Sequence, residues 1–288
     1  MSKHAALVLH QTEEAVWIDI PNVLHPFPAG PDKNPIQDYF FATSRLAGKF
    51  TQPPYADDAE VIGLLLLGIV SAAEFYFRRV LGLALDVCPV CRQHAELVHV
   101  PLGSVAFFSR SGYSFAMSSF EHESLADAKK LKAECRRFTG FDITGDLSAD
   151  KAIDDFELLC QLRHCLVHAS GLAGFKASRA LSSPRREIQK LILRKEDAFE
   201  LLKLSHNAVR GFNRFLANSI LNRWVDRDLL VGKWSTDKQA FTAVVKSFWM
   251  PGEDEYLGIP WNAYRPFRKA VVTRKQALAA KVATTPHN

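Results

Sequence analysis

Apolar residues fill almost every position between Val61 and Phe77, the pattern of a helix buried on most of its sides. Asp57 and Asp58 stand just before this run and can cap a helix that reaches about Leu85. Farther along, the helical period returns over residues 148–169, with Gly171 in the usual stop position, and over residues 195–224. A charged helix is predicted over 124–138 and a short one over 37–46. Phe241, Val244, Val245 and Phe248 mark another amphipathic helix over 237–249.

Two stretches read differently. Residues 5–10 and 15–20 resemble short strands, followed by a loop carrying Pro21, Pro26, Pro28, Pro31 and Pro35. Between 95 and 120 the pattern turns β-like, at 97–100, 105–108 and 113–116, with Ser109-Arg110-Ser111-Gly112 as a turn. That predicts a β-hairpin inserted between helices. The expected architecture is therefore mainly α, a helical bundle with a small β-hairpin insertion. A domain over 56–225 is flanked by an N-terminal extension, 1–55, and an aromatic-rich C-terminal extension, 226–288. There Tyr256, Trp261, Tyr264 and Phe267 suggest an ordered flap packed on the body.

The chain has 288 residues, enough to bury a core without staples. Its 48% apolar and 23% charged residues argue against disorder. A net charge of +5 permits an anionic partner without demanding one. Five scattered cysteines make no disulfide framework, so reduced thiols in the cytoplasm are expected. The N-terminus lacks a cationic stretch followed by an apolar one, so no secretory leader is expected. The run 61–77 contains Glu74 and ends on Arg78 and Arg79, and a core helix is expected there rather than a membrane span.

The chemistry concentrates on one helix. With Arg163 at zero and about 100° per residue, Phe156, Leu159, Cys160, Leu166 and Val167 all fall within about 60° of it. The arginine thus occupies the stripe that should face the core, where an unpaired ion costs several kcal/mol. His164 and His168 are four residues apart and share a flank with Glu157 and Gln161. A cation beside two imidazoles describes an anion pocket with acid–base chemistry next to it. The plainer reading pairs Arg163 with a carboxylate such as Glu74 or Asp155 and leaves the histidines to favour the negative helix end. Arg163 and His168 are about 140° apart on an ideal helix. To serve one phosphate, either the helix end distorts at Ala169-Ser170-Gly171 or a second copy supplies the missing group, which predicts a two-fold dimer.

The string Arg163-His164-Cys165-Leu166-Val167-His168 resembles the signature of the HEPN superfamily (higher eukaryotes and prokaryotes nucleotide-binding domains), in which an arginine precedes a histidine by a short interval. Here four residues intervene. The helix Ser71-Ala72-Ala73-Glu74-Phe75-Tyr76-Phe77-Arg78-Arg79 looks like the first bundle helix of such domains, and the resemblance covers roughly 56–225. It implies a dimeric helical bundle that cuts RNA without metal, often as a toxin or an effector of defence against phage. It implies Arg163 as the phosphate holder, His168 as acid or base, and His164 as orienting group. RNA, a second copy of the chain and an antitoxin or other defence-system subunit are the implied partners. The alternative is a non-catalytic RNA- or nucleotide-binding sensor or interaction subunit.

Lys176 and Arg179, with Arg185 and Arg186, are candidates for the RNA backbone. Cys88-Pro89-Val90-Cys91 with His94 and His99 has spacings that zinc accepts, although a helix break at Pro89 explains the same residues. No metal or cofactor is expected at the Arg-x4-His site. Glycine-rich phosphate loops, the Rossmann fingerprint and the Gly-x-Ser-x-Gly elbow are missing from the sequence.

Overall fold

Asp58 starts the most apolar helix by accepting hydrogen bonds from the backbone N–H groups of Glu60 and Val61, as an N-cap carboxylate should. This helix, α3, extends over Ala59–Val87 in the computed structural model. The structure describes residues 20–24, 34–49, 51–52, 58–108, 115–183, 187–250 and 260–284. Contacts divide the chain into two units, Met1–Gly30 and Pro31–Asn288. In the first, the described part is the single-turn helix α1, Ile20–Val23. The strands expected at 5–10 and 15–20 lie outside the described residues, except for Ile20, which opens α1.

The second unit is built from α2 (Pro35–Lys49), α3, α4 (Pro89–His94), α5 (Leu102–Phe108), α6 (Ala128–Thr139), α7 (Leu147–Ala169), α8 (Phe175–Ala180), α9 (Lys195–Asp226), α10 (Trp234–Phe248) and α11 (Pro260–Thr284). It is mainly helical, as the periodicity predicts. Helices α3, α7 and α9 meet at the centre. Phe77 of α3 packs edge-on against Phe156 of α7 and Phe212 of α9, with ring centroids 5.5 and 5.3 Å apart. All three rings are fully buried, and aromatic pairs in this arrangement contribute beyond their buried area. Gly211 lets α9 approach α7 closely, since a Cβ there would stand 3.4 Å from Ala152 and 3.5 Å from Ala149. Helix α2 is keyed to α9 by the buried bond between Tyr39 Oη and Ser205 Oγ, 2.7 Å. By length and composition α3 could cross a membrane, with 44% of its apolar window buried inside this fold.

Among the described residues of 95–120 there is no strand of the expected β-hairpin. Leu102–Phe108 is helical, Phe115–Phe120 is a 3-10 turn, and residues 109–114 lie outside the described residues. Short apolar runs cannot be assigned by period alone. Here tertiary packing decides: Phe120 is buried against Phe138 at 4.5 Å. The one two-stranded sheet among the described residues lies elsewhere, pairing β1 (Leu172–Ala173) antiparallel with β2 (Gln189–Lys190).

The C-terminal aromatics sit on α11. Tyr264 is buried against Trp234 and Phe241, and its hydroxyl donates to Asp237 Oδ2 at 2.7 Å. Asp237 also accepts the N–H groups of Val231 and Gly232. A fully buried carboxylate is tolerated because its lone pairs are filled. Tyr256 lies outside the described residues.

Candidate functional site

Helix α7 begins at Asp146, whose carboxylate accepts the N–H of Ala149, and ends on two successive left-handed residues, Ser170 (φ 49°) and Gly171 (φ 83°). The N–H of Gly171 donates to Cys165 O at 2.9 Å, closing the last turn. The reversal sends the chain back through β1 into α8, where Ala173 and Ala177 pack on Cys165. At the other side, Leu166 lies against Gly63 of α3, where a Cβ would stand 3.3 Å from Leu166 Cδ2. The C-terminal turns of α7 are therefore clamped between α3 and α8.

This clamp explains where Arg163 stands. Ala149, Ile153, Phe156, Leu159 and Cys160 form the buried stripe of α7. One turn later Leu162 still belongs to the bundle core, while Cys165 packs against Ala173 and Ala177 of the reversal. Val167, expected in the core stripe, is 45% exposed, and Arg163 is half-buried. Arginine follows the stripe out of the core and emerges at its end.

Neither carboxylate suggested as a structural partner takes the guanidinium. Glu74 accepts from Arg78 Nη2 and from the N–H of Leu125, both at 2.9 Å, and Asp155 pairs with Lys151 at 2.8 Å. Among the described residues, Arg163 makes no ion pair; its hydrogen-bond partner is His168 Nε2, 3.5 Å from Nη1. His164 and His168 are exposed, with ring centroids 4.8 Å apart and planes tilted by 48°. The three residues singled out in the sequence are thus together. Regular helix with a long arginine side chain spans the gap, so the helix need not distort before its end.

A cleft of about 420 Å³ opens beside them. Along α7 the lining runs from Glu157, beside Asp127, through Gln161 to Arg163 and His164, and Phe175 and Lys176 of α8 belong to it as well. His168 stands outside this lining. Glu157 is held in place, Oε2 accepting the N–H of Ala128 at 2.9 Å and Oε1 accepting from Gln161 Nε2 at 2.5 Å. Burial pushes the Cys160 thiol up, and the Glu157 carboxylate adds to this. Burial also raises Cys165. Neither is a thiolate nucleophile near neutral pH.

No family model, curated protein or solved structure matches this chain. Geometry and residue chemistry carry the functional reading.

Of the basic candidates, Lys176 reaches the cleft, while Arg179 lies over the Phe175 ring at 5.8 Å. Arg185 and Arg186 fall outside the described residues. The cysteine pair is close but is not a completed metal centre. Cys88 and Cys91 are buried, whereas His94 and His99 are exposed. Among the described residues no group of three or more histidine, cysteine or acidic side chains is placed to hold a metal ion. Instead, Trp224 Nε1 donates to Cys88 Sγ at 3.1 Å and Arg223 Nη1 to Cys91 Sγ at 3.7 Å. Sequence reasoning missed Asp127 and Phe175 as cleft residues. Phe175 carried a signal, being a large aromatic between Gly174 and the basic Lys176, just after the motif helix.

Proposed function

We propose that this chain is a metal-independent RNA endonuclease of HEPN type, acting through Arg163, His164 and His168. The observation that carries the reading is Arg163, half-buried, without a carboxylate among the described residues, and 3.5 Å from His168. A guanidinium left without an internal anion is open to an external one, and its donor fork suits a phosphate.

RNA supplies its own nucleophile. One imidazole takes the proton from a 2′-hydroxyl, whose oxygen attacks the adjacent phosphorus. The phosphorus–O5′ bond breaks, and the leaving oxygen takes a proton from a general acid. The products are a 2′,3′-cyclic phosphate and a 5′-hydroxyl. His168 fills one of these proton-transfer roles, because an imidazole can both take and give a proton. Arg163 binds the phosphate and stabilises the added charge of the transition state. His164, its ring centroid 4.8 Å from that of His168, orients it.

A two-fold dimer brings a second His168, so that one copy is acid and the other base. In support, Val167, Leu64 and Leu172 are exposed apolar residues on the elements around the motif. The same resemblance supports a cytoplasmic toxin or defence effector held in check by an antitoxin or other defence subunit. A second reading, a non-catalytic RNA- or nucleotide-binding subunit, is favoured by one observation: His168 does not line the cleft that Arg163 and His164 share.

Incubating the full chain with total RNA in EDTA separates the two. Cleavage that leaves 2′,3′-cyclic phosphate ends is expected; intact RNA across all conditions favours the binding subunit.

A further inference from the structure

We propose that the cleft beside Arg163 is a guanine-binding subsite; its place next to a scissile phosphate rests on the ribonuclease reading. The cleft is polarised along α7. Its cationic end, with Arg163, suits a phosphate, and Lys176 also lines the cleft. From Glu157 to His164 the helix rises about 10 Å, comparable with the length of one nucleotide from phosphate to the far edge of its base. Its volume, about 420 Å³, falls in the range of small-molecule sites. Phe175, 79% exposed at the rim, offers a ring on which a base can stack.

The far end presents acceptors. Gln161 Nε2 spends one of its two N–H groups on Glu157, so Gln161 can present its amide oxygen beside a remaining N–H. Asp127 Oδ1 accepts the N–H of Lys130 at 2.7 Å, while Oδ2 has no donor among the described residues. A wall of carboxylate oxygens, from Asp127 and Glu157, prefers a base edge with adjacent N–H donors. Guanine has two, at N1 and the exocyclic amine. Adenine and cytosine set one amino group beside a ring acceptor, and uracil flanks one N–H with two carbonyls. Each of these turns lone pairs toward the wall, and that mismatch creates discrimination.

The test is calorimetric titration of the full chain with the 5′-monophosphates of guanosine, adenosine, cytidine and uridine. Guanosine monophosphate is expected to bind at least about tenfold more tightly than the others, the value of one well-placed donor pair. Phe175→Ala should weaken all four by about tenfold, and Asp127→Asn, which still caps α6, should abolish the preference. Thermal midpoints of both variants check that the fold is kept. Equal affinities, a preference that survives Asp127→Asn, or no binding at millimolar nucleotide would each overturn the subsite. RNA cleavage without base preference sinks the subsite and leaves the ribonuclease reading intact. Guanosine preference without any cleavage does the reverse.

Discussion

Nη1 of Arg163 lies 3.5 Å from Nε2 of His168, five residues farther along the same helix. A cation and a titratable ring at this distance repel when the ring is protonated, so the pair gains from an anion placed between them.

Arg163→Met should therefore abolish RNA cleavage without destabilising the fold. Methionine keeps the apolar stem that a half-buried arginine packs and removes a charge that has no carboxylate partner among the described residues. A thermal midpoint equal to wild type, or raised by the equivalent of about 0.5–1 kcal/mol, is expected. A fall of several degrees would mean that the guanidinium has a structural partner after all.

Gly63 controls the site from a distance. Its missing Cβ admits Leu166, which holds the last turns of α7. Gly63→Ala requires the Leu166 side chain to give way slightly and should be mild. Gly63→Val should cost about 1–3 kcal/mol through overpacking and should lower cleavage by more than its stability loss accounts for. Denaturation midpoints and initial rates measured on the two variants check this.

Much of this was legible in the sequence. The helical period marked α3, α7, α9 and α10, and residues such as Asp58 and Gly171 stood close to the observed helix ends. The motif residues lie together because i and i+4 share a flank of any helix. The wheel placed Val167 in the core, but it is exposed, because the last turns of α7 split their contacts, Leu166 staying on the bundle and Cys165 packing on Ala173 and Ala177 after the chain's turn. That turn depends on β1 and β2, strands of two residues each, too short to leave a periodic signature. The 95–120 segment failed for a related reason: few of its apolar residues are core residues, with Leu102 and Phe107 largely exposed. Asp127 enters the cleft only through the packing of α6 on α7, a long-range contact that no local pattern encodes.

Val167→Asp probes the dimer. Wild type should run in light scattering at twice the chain mass of 32.3 kDa, and the variant at the single mass, with cleavage lost and the thermal midpoint little changed. An active wild-type monomer would remove the second chain from the mechanism.

The buried cysteine pair gives stability a pH dependence. Hydrogen bonds from the Cys91 thiol, the Cys91 N–H and Trp224 hold the Cys88 thiol down to about 6, against the opposing effect of burial. An unfolded thiol titrates near 8.5. The folded value is the lower one, so this contribution is full above the unfolded value and is lost as pH falls toward 6. Urea midpoints should rise between pH 6 and 9 in wild type and rise less in Cys88→Ser. Identical slopes would show that Cys88 is not ionised in the folded protein.

The central claim is that His168 moves a proton during RNA cleavage. Its most direct test is the single-turnover rate on one RNA oligonucleotide in EDTA, measured for wild type and His168→Ala. A drop of about 10²–10⁴-fold at an unchanged thermal midpoint is the predicted result. A His168→Ala protein, free of contaminating nuclease, that cuts as fast as wild type would contradict it.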